Sequence, residues 1–313
     1  MYKIVNLTIL ILLHNCMFTL FPQNRYPHLV EYTISGKDRD KILIIPVEGL
    51  ISDQRKDNFL QESTESALTS ITEKLATAKN DPDIRAVILK INSPGGTVTS
   101  SDIIYTEIKK FRAARNIPVY SVFMDTATSG AYYIAMATDH ITAHPTTITG
   151  SIGIIINSLN LKNGLDKLGI KDQSISSGKN KQIGSPLTEM TEEQNNILQS
   201  VVNSLYNRFF DIVMKGRSMK RSELEPLADG RIFTAEQALK NRLVDNIGYF
   251  DDALKILLND KSYRMTPGNI NPRIIAYTYR PGSTKNIYNT PSSGSGVYMK
   301  SYLYYLWSPA GAF

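Results

Sequence analysis

Residues 86–96 read Ala86-Val-Ile-Leu-Lys-Ile-Asn-Ser-Pro-Gly-Gly96, and their reading decides the fold class. Ala86 to Ile91 is an apolar, β-branched run of the kind found in strands covered on both faces. Asn92 to Gly96 is a turn-forming loop at its carboxyl end. The same unit recurs on either side. Upstream, Lys41-Ile-Leu-Ile-Ile-Pro-Val47 is another buried strand and opens the folded domain. Between the two, Ala67, Leu68, Ile71, Leu75 and Ala78 recur at helical spacing, with Ser63 as candidate N-cap and Asp81-Pro82 as the stop. Downstream, Ser100 to Phe111 carries Ile103, Ile104, Ile108 and Phe111 on one helical face. Val119 to Phe123 is a third strand, followed by Thr128-Ser-Gly-Ala131 and a short apolar helix to about Ala137. This rhythm predicts an α/β fold with a mostly parallel sheet layered by helices, its functional loops at the carboxyl ends of the strands.

Further along, His140 to Ala143 and Ile152 to Asn157 read as short strands, and a helix is expected near Leu161 to Leu168. Thr191-Glu-Glu-Gln194 is a capping box that opens a long helix to about Lys215. Its stripe of Ile197, Val201, Leu205, Phe209 and Ile212 suits core or subunit packing. Phe233 to Leu239 and Phe250 to Leu258 read as shorter helices. From Met265 the chain is rich in Pro, Gly, Ser and Tyr. Pro291 to Gly296 forms a flexible break before Tyr302-Leu-Tyr-Tyr-Leu-Trp307, which suits a strand or a surface laid on a partner or membrane. The expected organisation is an N-terminal segment (1–24), a linker (25–40), one folded domain (41–260) and a Tyr-rich extension (261–313).

With 313 residues, 42% of them hydrophobic, the chain can bury a substantial core. Its single cysteine, Cys16, excludes an internal disulfide and a Cys-rich zinc framework. The net charge of +6 comes from 35 basic and 29 acidic residues scattered without runs, which argues against nucleic-acid or polybasic lipid binding. Ile4 to Phe21 is largely apolar, at the lower edge of membrane-span length and too long for a typical signal core. Pro22, Gln23 and Asn24 offer no small-x-small cleavage site, so an uncleaved anchor is expected over a removed signal peptide. Lys3 and Arg25 flank it almost symmetrically and leave its orientation open.

Three loops carry candidate chemistry. The Ser93-Pro-Gly-Gly96 turn exposes backbone N–H groups, as an oxyanion hole requires, and lacks the spacing of a phosphate-binding loop. Ser129, between a strand and an apolar helix, suits either a helix N-cap or a nucleophile, and Gly130 adds an N–H at the same place. A serine nucleophile needs a base. His14 and His28 precede the folded domain, while His140 and His144 flank a short strand and have no Gly-x-Ser-x-Gly elbow to serve. Lysine can replace histidine where burial and the lack of a carboxylate partner lower its pKa. Lys181 lies in a Gly-bounded loop with no acidic residue between Asp172 and Glu189.

In order and spacing these loops resemble the signal peptide peptidase A family. Ile91-Asn-Ser-Pro-Gly-Gly96 is similar to that family's oxyanion loop and to the related loop of ClpP protease. Ala127-Thr-Ser-Gly-Ala-Tyr-Tyr133 is similar to its nucleophile segment, and Thr149-Gly-Ser-Ile-Gly153 and Ser177-Gly-Lys-Asn-Lys181 to the segments that follow. Leu227-Ala-Asp-Gly-Arg-Ile-Phe233 and Leu243-Val-Asp-Asn-Ile-Gly248 continue the resemblance, which covers roughly Lys41 to Leu258.

The resemblance implies a ClpP/crotonase-type fold of repeated β-β-α units and makes residues 41–260 a protease domain. It makes Ser129 the nucleophile and Lys181 the base, with Ser151 placed to hydrogen-bond the lysine amine and Gly95 and Gly130 supplying oxyanion N–H groups. The Gly178-x-x-Lys181 spacing selects Lys181 over Lys179. Implied too are a ring-shaped homo-oligomer, substrates among remnant signal peptides and other apolar membrane-proximal peptides, and membrane anchoring with the catalytic domain outside the cytoplasm. No cofactor, metal or nucleic acid is implied. The rival expectations are a crotonase-like acyl-CoA enzyme and an inactive membrane scaffold of the same fold.

Overall fold

The computed structural model describes residues 29–54, 56–58, 61–279, 286–287 and 304–306. The chain begins with β1 (Val30–Ser35), β2 (Lys41–Glu48), the hairpin strands β3 (Lys56–Asn58) and β4 (Gln61–Thr64), and α1 (Ala67–Lys79). Next come β5 (Ile84–Ser93), β6 (Gly95–Thr97), α2 (Val98–Arg115), β7 (Val119–Thr128) and α3 (Gly130–Ala135). The strands β8 (His140–Ala143) and β9 (Ile148–Gly150) precede α4 (Lys162–Lys167), α5 (Glu192–Gly216) and α6 (Arg221–Leu224). The chain continues through β10 (Ile232–Thr234), α7 (Ala235–Lys240), β11 (Asn246–Ile247), α8 (Phe250–Leu258), β12 (Arg273–Thr278) and β13 (Tyr304–Leu306).

The main sheet has the order β1-β12-β2-β5-β7-β8-β11, with β9 paired to β7 and β10 to β9. All its pairings are parallel except β1 with β12 and β10 with β9. A central parallel strand is covered on both faces, which is why β2 and β5 read as unbroken apolar runs. Alternate residues sort the two cores. Leu43, Ile45, Val87, Leu89 and Phe123 join Ile71 and Leu75 of α1, Ile104 and Ile108 of α2, and Phe209 of α5. Ile42, Ile44, Ala86, Ile88 and Val122 face Phe250, Ala253 and Leu257 of α8. The expected α/β architecture, a mostly parallel sheet between helical layers, is the one observed.

Several local expectations are corrected. Ser63 lies in β4, and the cap of α1 is Ser66, whose side chain accepts from the Thr69 N–H at 3.1 Å. Ile103, read onto the buried face of α2, is 39% exposed, while Ile104, Ile108 and Phe111 are buried. No strand forms at Ile152 to Asn157. The chain pairs earlier, at β9, and the positive φ of Gly150 (+90°) and Ser151 (+51°) then turns it out of the ladder. The sheet also takes in strands on either side of residues 41–260, since β12 pairs with β2 and β1 pairs with β12. Residues 1–24, with Cys16, and the 291–296 break lie outside the described residues. Among the described residues no helix is long and apolar enough to cross a membrane.

Candidate active site

β7 carries the centre of the site because it serves two partners in succession. Tyr120 to Phe123 pair with β8, and Thr126 to Thr128 pair with β9, so the sheet forks where β7 ends. Side chains tie the fork to the 92–97 loop. Asn92 Oδ1 accepts the Thr126 N–H at 3.1 Å, and Thr128 Oγ1 donates to the Pro94 carbonyl at 3.1 Å. On the other flank Thr149 Oγ1 donates to the Ala127 carbonyl at 2.7 Å, and the Ser129 N–H donates to the Gly150 carbonyl at 2.8 Å. The loops around Gly95, Ser129 and Ser151 therefore meet at one point.

Ser129 occupies a left-handed conformation rare for a residue with a side chain, with φ +55° and ψ −119°. It precedes α3, yet its hydroxyl makes no capping hydrogen bond, so the N-cap reading fails. Only 1% of the residue is exposed, and Oγ is buried without a hydrogen-bond partner. A hydroxyl buried in this way costs stability, which a structural serine would avoid by bonding. Gly130 opens the helix, so its N–H has no intrahelical acceptor. The helix is held in place by Tyr132, whose hydroxyl donates to the Leu243 carbonyl at 2.7 Å, and by Tyr133. The Tyr133 hydroxyl donates to Asp102 Oδ1, which also accepts from Arg208 Nη2 at 2.6 Å.

The glycine loop divides its amides between two directions. Gly95, at φ +105°, donates its N–H to Ser93 Oγ at 3.1 Å. The Gly95 carbonyl accepts from the Ile51 N–H at 2.9 Å, and the Thr97 N–H donates to the Ile51 carbonyl at 2.8 Å. Since alternate residues of an extended strand address the same edge, Gly96 presents its N–H and carbonyl to the opposite edge. The sequence points to Gly95, whereas the structure turns the Gly96 amide to that edge. The signal that could have found it is the period of two, which cannot be phased until one edge of the strand is assigned. A Cβ on Gly96 would lie 1.9 Å from the Ile51 carbonyl oxygen, so the strand's close approach to Ile51 requires glycine.

Ser151 is 7% exposed, and its N–H donates to the Arg231 carbonyl at 2.8 Å. Lys181 stands apart. It lies exposed in the turn that its N–H closes on the Gly178 carbonyl at 3.0 Å, and it makes no hydrogen bond with the unpartnered Ser129 Oγ. Lys179 is held by Glu193 at 2.8 Å. Both lysines lie in an arm, residues 155–185, that exposes Ile155, Leu159, Leu161, Leu168, Ile170 and Ile175. His140 stacks on Tyr120 with ring centroids 4.9 Å apart, and His144 Nδ1 is hydrogen-bonded to Thr146 Oγ1 at 2.8 Å, so neither serves Ser129.

Residues 111–263 match Peptidase family S49, and residues 46–164 match the Clp protease family. A provisionally named protease of Synechocystis sp. is 38% identical over 215 residues, 69% of this chain and 72% of that protein. The chain belongs to peptidase family S49. A provisionally named signal peptide peptidase SppA of Enterococcus faecium is 40% identical over 226 residues, 72% of this chain and 65% of that protein. Protease 4 of Haemophilus influenzae is 34% identical over 217 residues, 69% of this chain and 34% of that protein. The chain thus spans about a third to two thirds of the length of these two relatives. The S49 span takes in Ser129, Gly130, Ser151 and Lys181, while the Clp span takes in the Gly95–Gly96 loop and Ser129. The fold is accordingly of the ClpP/crotonase type.

Proposed function

We propose that the protein is a serine endopeptidase in which Ser129 attacks a peptide carbonyl and Lys181 receives its proton. The observation that carries this reading is the Ser129 hydroxyl, buried, unpartnered and set on a left-handed residue where two glycine-bearing loops converge. Attack forms the Ser129 Oγ–carbon bond, and the negative charge goes to the former carbonyl oxygen. Gly130 and the Gly95–Gly96 strand offer N–H groups to that oxyanion. Because the Gly95 amide is engaged by Ser93, Gly96 is the better-placed donor of the pair. The lysine ammonium then protonates the leaving amine, and water releases the acyl group.

For Lys181 to act as a base it must leave water and meet neutral polar groups, the role assigned to Ser151. The exposed apolar side chains of the arm support packing of this region against further copies of the chain, in keeping with the Clp relationship. That packing desolvates Lys181 and completes the site. The substrates in this reading are remnant signal peptides and other apolar, membrane-proximal segments, met at a membrane to which residues 1–24 anchor the chain. The chemistry calls for no cofactor. A serine-directed phosphonate followed by peptide mass spectrometry tests it: the label is expected on Ser129. A label elsewhere, or coenzyme A binding in a thermal-shift assay without labelling, overturns it.

A further inference from the structure

The two amides proposed to bind the oxyanion lie on different elements, Gly96 on β6 and Gly130 at the start of α3. β6 ends at Thr97, which caps α2: its side chain accepts from the Ser100 N–H, and Ser101 Oγ donates back to the Thr97 carbonyl at 2.9 Å. The glycine strand is therefore fixed to α2. Ser129 is fixed to α3, because the Tyr133 N–H donates to the Ser129 carbonyl at 2.9 Å. The spacing of the two amides thus follows from how α2 packs on α3.

A polar link spans that contact. The Tyr133 hydroxyl of α3 donates to Asp102 Oδ1 of α2, and Arg208 of α5 donates to the same oxygen from Nε at 3.0 Å and Nη2 at 2.6 Å. The Tyr133 ring is fully buried between Tyr105 and Phe209, with centroids 5.4 and 5.1 Å away, and this packing aims its hydroxyl at Asp102. Apolar packing is non-directional, whereas a hydroxyl donating to a carboxylate is charge-assisted and fixes a distance and an angle. We infer that the Tyr133–Asp102 pair, braced by Arg208, positions the oxyanion site by setting the separation of the Gly96 and Gly130 amides without touching substrate. This rests on the reading of Ser129 as nucleophile and of those amides as its oxyanion donors. Donors act through their fit to the developing charge, and a misplacement of about 1 Å costs on the order of 100-fold in rate.

The test is made in the full chain. Tyr133→Phe removes one oxygen and keeps the packed ring. The expected result for a fluorogenic apolar peptide is a kcat at least about ten-fold lower, counted per Ser129 labelled to completion by phosphonate, with KM within about two-fold. Asp102→Ala should match it, and the double variant should be no worse than either. Asp102→Asn, which keeps an acceptor for the hydroxyl, should recover most of the activity. The inhibition constant of a peptide boronate, which mimics the tetrahedral state, should rise by the factor that kcat falls. Peptide Kd in the Ser129→Ala background should be the same with and without Tyr133→Phe. A wild-type kcat in Tyr133→Phe, or a loss confined to KM or to the melting temperature, overturns the inference. Failure of the phosphonate to label Ser129 in the unaltered chain overturns the underlying peptidase reading instead.

Discussion

The main-chain N–H of Ser129 donates to the carbonyl of Gly150 at 2.8 Å, binding the backbone of the proposed nucleophile to the residue before Ser151. The bond extends the β7–β9 ladder by one residue and helps hold Ser129 in its left-handed conformation. Two loops far apart in sequence thereby become one site, and the hydroxyl points away from the cap position it would otherwise fill.

Ser129→Ala is expected to abolish turnover of a fluorogenic apolar peptide while leaving the fold as stable or slightly more so. The hydroxyl has no partner to lose, and its removal relieves a buried polar atom worth roughly 1 kcal/mol. Thermal melts beside the activity assay check both halves. A marked loss of stability would show that the hydroxyl holds the structure.

Lys181→Ala should be as inactive as Ser129→Ala, and the double variant little worse, because members of one catalytic unit are non-additive. Lys181→Arg should fail too, since guanidinium does not give up its proton. Lys179→Ala should keep most activity, as that amine is already paired with Glu193. Turnover by the purified variants across pH decides it, and an active Lys181→Arg enzyme would remove Lys181 as base.

Gly96→Ala should lower kcat by roughly 100-fold or more, the cost of losing an oxyanion donor. Its methyl must push β6 off Ile51, whose carbonyl oxygen lies 1.9 Å from the Cβ position. Single-turnover kinetics of the folded variant measure this. Wild-type kcat would return the donor role to another amide.

Asp40 predicts an acid limit to stability. Its side chain is buried, which alone would raise its pKa, but hydrogen bonds from the Thr266 hydroxyl and N–H and from Arg85 prevail and lower it to about 2. A carboxyl lowered on folding stabilises fully above its unfolded value of 3.8 and loses that share as pH falls through about 2. The difference corresponds to about 2 kcal/mol. Asp40→Asn should flatten the pH dependence of urea stability between about 4 and 2, and an unaltered slope would refute the assignment.

Charges placed in the exposed apolar arm, as in Leu168→Asp with Ile175→Asp, should shrink the assembly and suppress activity without altering the circular dichroism. Light scattering coupled to gel filtration reads the first effect. Full-size assemblies with normal turnover would show that the arm is not the interface.

What the sequence by itself determined were the features encoded by neighbours in the chain. The runs of β2 and β5, the Thr191–Gln194 capping box and the helix Phe250–Leu258 were legible because burial on both strand faces, a three-residue cap reach and a 3.6-residue period are local properties. The meeting of the Gly95, Ser129 and Ser151 loops was legible only through resemblance. Tertiary structure decided the rest. That Ser129 does not cap its helix, that Gly96 and not Gly95 faces the edge away from Ile51, that Lys181 remains exposed within one chain, and that Tyr304–Leu306 lies along that edge of β6 each depend on a partner tens or hundreds of residues away. A hydrogen-bonding edge belongs to whichever strand arrives beside it, and no periodicity within a single segment records which one that is.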